Sequence, residues 1–133
     1  MSKLIDVHFH LDFYKNHETI YEKINHLEQY TLCMTNSPGV YLSCKNLYAE
    51  TKYLKFAIGF HPLDAKLKDK DFTDFLSLAR NANYIGEVGL DFSGTPALPK
   101  EKQIEYFEKI ANIEVLEKNK LNSIDVESLE KVV

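Results

Sequence analysis

The feature that most constrains this chain is an alternation of short β-rich runs with longer runs of helical spacing, repeated four times before residue 120. Leu4 to His10 alternates with period 2, placing Ile5, Val7 and Phe9 on one side and Asp6, His8 and His10 on the other, the pattern of a strand. Asn16 then caps a helical pattern carrying Ile20, Ile24 and Leu27. Tyr30 to Thr35 predicts a second strand, closed by Asn36-Ser37-Pro38-Gly39 and followed by helical spacing from Val40 to about Tyr53. Leu54 to Phe60 predicts a third strand ending at His61-Pro62, with a helix holding Phe72, Phe75, Leu76 and Ala79 behind it. Tyr84 to Leu90 predicts a fourth, and Pro96 and Pro99 punctuate the loop before a long helix with Ile104, Phe107, Ala111 and Val115. Serial βα units dictate an α/β fold, a parallel sheet covered by helices, with ligands outside the carboxyl ends of the strands.

After Lys120 two readings stay open: Leu121 to Ile124 as the start of a fifth strand, or Ser123-Ile124-Asp125 as the cap of a terminal helix. The chain therefore reads as one domain over 1–133, four βα units to about residue 120 and a tail over 121–133. At 133 residues it is too short for a complete eight-unit barrel of roughly 250.

Composition excludes several classes. With 16 basic and 20 acidic residues the net charge is −4, which gives no overall electrostatic footprint for nucleic acid or an anionic membrane, so any polynucleotide must be recognised locally. Arg80 is the sole arginine, so phosphate chemistry would lean on metals. Cys33 and Cys44 have no CxxC spacing and read as buried thiols. No apolar run approaches the ~18 residues of a membrane span and no signal-like segment precedes the first strand, so the expectation is a cytoplasmic protein with no membrane partner. P-loop, dinucleotide-binding and serine-hydrolase motifs are absent.

The chemistry-bearing residues gather at strand ends. His8 and His10 leave the same face of the first strand about 6.6 Å apart, close enough for two imidazoles to converge on one ion. The plain alternative is a pair of partly exposed histidines. In Gly86-Glu87-Val88-Gly89-Leu90-Asp91, Glu87 and Asp91 share a face, and a carboxylate in a buried strand needs a partner, either a metal ion or a lysine from a neighbouring strand. His61 shares a face with Ala57 and Gly59, small residues that would leave room for a ligand; alternatively it is a hydrogen-bonded rim histidine. Thr35-Asn36 is polar but not ligand-like. His17 and His26 read as solvated positions of the first helix, and the run from Lys66 to Asp74 as a solvated loop.

Asp6-Val7-His8-Phe9-His10-Leu11-Asp12, Gly59-Phe60-His61-Pro62 and Ile85-Gly86-Glu87-Val88-Gly89-Leu90-Asp91, in this order and spacing, resemble the TatD family of metal-dependent deoxyribonucleases. The resemblance runs from residue 4 to about 118. It implies a TIM barrel with one or two divalent ions (Mg, Mn or Zn) at its mouth. His8 and His10 would bind the first ion, Glu87 would bridge both, and His61 would contact substrate phosphate. Glu87 and Asp91 would be the catalytic carboxylates, Asp91 and Asp12 serving as polar groups at the mouth. The first loop, Leu11-Asp12-Phe13-Tyr14, and the Gly89-to-Gly94 segment are less closely similar to the TatD-type nuclease of bacterial Qat anti-phage systems.

The family's fifth, sixth and eighth strands supply a His-x-Arg motif, a further His and an Asp, none of which has a counterpart here; aligned as the fifth strand, the tail offers Asp125 and Glu127 instead. The resemblance thus implies about four of eight units. Its expected function is metal-dependent cleavage of DNA, single-stranded in preference, with self-association through the open barrel edge. Two alternatives stand beside it: an inactive truncated fragment or interaction subunit, and a metal-dependent hydrolase of a small amide or ester.

Overall fold

The computed structural model describes residues 4–113 except 65 and 97; the readings for 114–133, the end of the last helix and the tail among them, lie outside the described residues. Among the described residues strands and helices alternate as expected, except that two strands stand where the third was expected. They are β1 (Ile5–Phe9), α1 (His17–His26), β2 (Tyr30–Cys33), α2 (Pro38–Leu47), β3 (Leu54–Phe56), β4 (Ile58–Phe60), α3 (Asp69–Ala79), β5 (Ile85–Val88) and α4 (Lys100–Ala111). All pairings are parallel: β1 with β2, β2 with β3, and β4 with β5.

The boundaries follow local chemistry. Asn16 stands at the N-cap of α1, although its side chain makes no capping bond. Helix α2 begins earlier than the apolar spacing suggests, because Ser37 Oγ accepts from the Val40 N–H and Pro38 occupies the first helical turn. It also ends earlier, at Leu47, and the expected continuation to Tyr53 is not helical. There the Thr51 hydroxyl accepts from the N–H groups of Tyr53 and Leu54 and turns the chain into β3. The run from Lys66 to Asp74 is only partly loop: from Asp69 it is the first part of α3, with Phe72 buried.

Period 2 sorts the sheet into two faces. Cys33, Phe56, Ile58, Phe60, Ile85 and Val88 join the helices in the main core, which Phe75 and Phe107 fill from α3 and α4. The alternating residues Leu32 and Met34 form a separate cluster with Ala57, against which Tyr84 packs. Both thiols are free and buried, as their spacing suggested. Among the described residues no helix is long and apolar enough to cross a membrane.

The third strand differs from expectation: it breaks at Ala57 into β3 and β4. Thr35, 1% exposed, bridges the break. Its hydroxyl donates to Ala57 O at 2.8 Å and accepts from the Gly59 N–H at 3.1 Å. Its backbone reaches the next strand as well, donating to Gly86 O at 3.4 Å and accepting from the Glu87 N–H at 3.1 Å. This approach is why residue 59 is glycine, since a Cβ there would stand 1.6 Å from Thr35 O. The space that Ala57 and Gly59 were expected to leave for a ligand is therefore taken, at Gly59, by the backbone of Thr35. Replacing Thr35 by Val, similar in shape but without the hydroxyl, leaves Ala57 O and Gly59 N–H without that partner in the interior. We expect a loss of about 1–3 kcal/mol in urea unfolding; an unchanged midpoint would show that the hydroxyl does not bind the sheet together.

Candidate metal and phosphate site

Strands β1, β4 and β5 deliver their polar residues at their carboxyl ends to one place. β1 carries His8 and leads into His10, which is held there by the short turn Leu11–Phe13, whose Leu11 is 1% exposed. β4 leads into His61, whose N–H donates to Asn36 O at 2.9 Å. β5 carries Glu87, tied to β2 through Thr35.

The side chains converge. Nε2 of His8 and Nε2 of His10 lie 3.3 Å apart. Glu87 Oε2 lies 3.0 Å from His10 Nε2 and 3.4 Å from His8 Nε2. Donors about 2.0–2.1 Å from a divalent ion are spaced about 3.0 Å apart in octahedral and about 3.4 Å in tetrahedral geometry. The triangle spans that range, so the donor set fits a small divalent ion, and the chemistry of two imidazoles and a carboxylate suits one. The lysine alternative for Glu87 is not what the structure shows: its partners are His10, His8 and His61. The hydrogen bond from His10, with help from the neighbouring imidazoles, holds the Glu87 carboxyl below the usual glutamate range against the opposing effect of burial.

His61 stands apart in kind. Its Nδ1 accepts from the Leu63 N–H at 3.1 Å, which places the proton of the neutral ring on Nε2, 3.6 Å from Glu87 Oε1. With the backbone N–H of Leu63 holding the proton on Nε2, His61 is set to donate to an anionic oxygen.

Asp91 lies just beyond β5 and is not one of the donors of this triangle. Its Oδ1 accepts from the Ser93 N–H at 2.9 Å and from the Ser93 hydroxyl at 2.5 Å. Gln103, 2% exposed, fixes the loop: its Oε1 accepts from the Asp91 N–H and its Nε2 donates to Asp91 O and Leu98 O, each at 2.9 Å. Sequence reading missed Gln103, although a signal exists in its place on the apolar face of α4, one helical turn before Phe107 and two before Ile110. Thr35 is no ligand; its part is to place Glu87. His17 is not a solvated residue of α1, since it is half-buried and hydrogen-bonded to the Tyr48 hydroxyl, whereas His26 is exposed as expected. Burial raises the pKa of Asp12.

Buried polar atoms without a hydrogen-bond partner gather here too: His10 Nδ1, Asp12 Oδ1 and Asn36 Oδ1. Such atoms are rare in native interiors and tend to mark functional sites.

The thiols are excluded as nucleophiles. Burial pushes Cys33 up to about 12 and Cys44 up to about 11. A disulfide reagent at pH 8 should therefore label neither in the native protein and both once urea unfolds it; prompt native labelling would contradict this placement.

Among proteins already grouped into families, the family model described as TatD related DNase matches residues 5–115. A search of the curated proteins finds no match.

Proposed function

Because the chain belongs to the TatD family of related DNases, which are built on the TIM barrel and generally metal-dependent, we propose that it hydrolyses phosphodiester bonds of DNA with the help of a divalent ion. The observation that carries this reading is the convergence of His8 Nε2, His10 Nε2 and Glu87 Oε2 on one point at the carboxyl ends of β1 and β5. These three residues would hold the ion. What a bound divalent ion supplies is Lewis acidity toward phosphoryl oxygen and water.

The chain's own groups do the rest. Glu87, kept ionised at neutral pH, orients a water molecule through whichever carboxylate oxygen is not engaged and takes up its proton as the oxygen attacks phosphorus; the P–O bond to one sugar oxygen breaks, and that leaving oxygen takes a proton from solvent water. His61 donates from Nε2 to a non-bridging phosphate oxygen, drawing off the charge that grows there in the transition state. The sole arginine is exposed at the far end of α3, away from the strand ends, so neutralisation of phosphate falls to His61, to Lys66 in the lining of the adjoining cavity and to the ion. Asp91 contributes by shaping the loop beside Glu87. Unpaired bases reach such a mouth more readily than stacked ones, which favours a single-stranded substrate.

A second property follows from β1, which pairs only with β2 among the described strands and exposes Ile5 (71%) and Val7 (58%). Self-association along that edge is the reading it supports. Light scattering over a concentration series should show a mass above that of one chain, reduced in Val7→Lys; a monomer at every concentration rules it out.

For catalysis, end-labelled single-stranded DNA should be cut with Mg²⁺, Mn²⁺ or Zn²⁺ and left intact with chelator. Glu87→Ala should lower the rate by about 100-fold or more, and His8→Ala should weaken metal binding by calorimetry about 10- to 100-fold or more. Cleavage that survives chelation, or that Glu87→Ala leaves untouched, defeats the proposal.

A further inference from the structure

Beside His61 lies a cavity of about 500 Å³, within the range of about 300–1,000 Å³ that accommodates nucleotide-sized ligands. It opens between the first turn and the N-terminal end of α2 and runs up to His61. Its walls are mixed: Phe13 on one side, Val40, Leu63 and Leu67 as further apolar residues, and the carboxylates of Asp12, Asp64 and Asp71 together with Lys66.

Phe13 is the unusual wall. It is 63% exposed, a poor position for an aromatic ring unless the open face is used. One face lies flat on the His10 imidazole, with centroids 4.2 Å apart and planes within 4°. The turn that carries it is pinned by two backbone bonds, Phe13 N–H to His10 O and Tyr14 N–H to Leu11 O, each 3.3 Å. The ring is thus a preorganised platform one residue's breadth from the candidate metal ligands.

The same cavity is lined by Asp12 and Asn36, the residues whose buried Oδ1 atoms have no hydrogen-bond partner. The carboxylates of Asp12, Asp64 and Asp71 and the side-chain amide of Asn36, set around an aromatic platform, suit a flat ligand with N–H donors on its edge. We propose that this cavity takes the nucleobase next to the phosphate being cleaved. Phe13 stacks on its face, and Asp12 and Asn36 accept from its edge. Guanine, with adjacent N1–H and N2–H₂ donors, matches better than thymine, which offers a single N–H. This assignment rests on the nuclease reading above and adds to it a base preference and a residue for it.

The test is steady-state cleavage of dT oligonucleotides carrying a single dG, with the cut sites mapped, by the full chain in the presence of divalent metal. The wild type should cut preferentially beside dG. Phe13→Ala should raise KM about tenfold, well beyond any fall in kcat, and erase the preference, because base stacking on an aromatic ring is commonly worth that much in affinity. Phe13→Trp should restore both. An unaltered melting temperature for Phe13→Ala would separate this loss from misfolding. If the wild type cuts DNA but Phe13→Ala keeps its KM and cut pattern, the inference falls while the nuclease reading stands. If the wild type neither binds nor cuts single-stranded DNA, both fall.

Discussion

Thr35 is the point through which the sheet and the site depend on each other. One buried residue closes the gap where the third strand breaks, through its hydroxyl, and reaches β5 through its backbone. Its carbonyl accepts the N–H of Glu87, so the carboxylate that gathers three imidazoles is set in place by the segment just after β2, three strands earlier in chain order. Gly59 is the other half of this arrangement, because only a residue without a side chain lets the two backbones come so close. A change at either residue acts on the fold and the site together.

The electrostatics of the site grow from the same geometry. Glu87 is half-buried, where an isolated carboxylate would be costly, and the imidazoles of His10, His8 and His61 surround it instead of a lysine or arginine. Imidazoles stabilise the carboxylate yet can give up their protons, which ammonium and guanidinium groups do far less readily. A cluster of this kind can therefore hold together without an ion and still accept one. The partnerless oxygens of Asp12 and Asn36 extend this polar rim away from the triangle and toward the Phe13 platform.

Much of this was legible in the residues. Period 2 in β1 put His8 and His10 on one face, and the serial βα pattern placed His61 and Glu87 at the same sheet edge; the structure brings all four together. The matching family model covers the stretch in which those motifs lie. What stayed hidden were residues whose roles depend on partners distant in sequence. Thr35 looked like a polar residue of no consequence, and Gly59 like a gap for a ligand. His17 looked solvated because the helical pattern of α1 says nothing about Tyr48, which comes from the end of α2. Helix α2 was misjudged at both ends because side chains capping backbone groups, Ser37 and Thr51, outweigh the spacing of apolar residues there.

The sequence by itself determined the class of fold, the order of its elements and the identity of the groups at the strand ends, because these depend on periodicities and turn residues that act over a few positions. Tertiary structure alone decided how those groups meet: the spacing of three donor atoms, the tautomer of His61 set by the Leu63 N–H, the turning of Asp91 onto Ser93, and the exposed ring of Phe13 laid on His10. Distances of about 3 Å between atoms from different strands depend on register and on the break at Ala57. Those are settled only when the strands pack, since no local propensity encodes the hydrogen bonds that fix them.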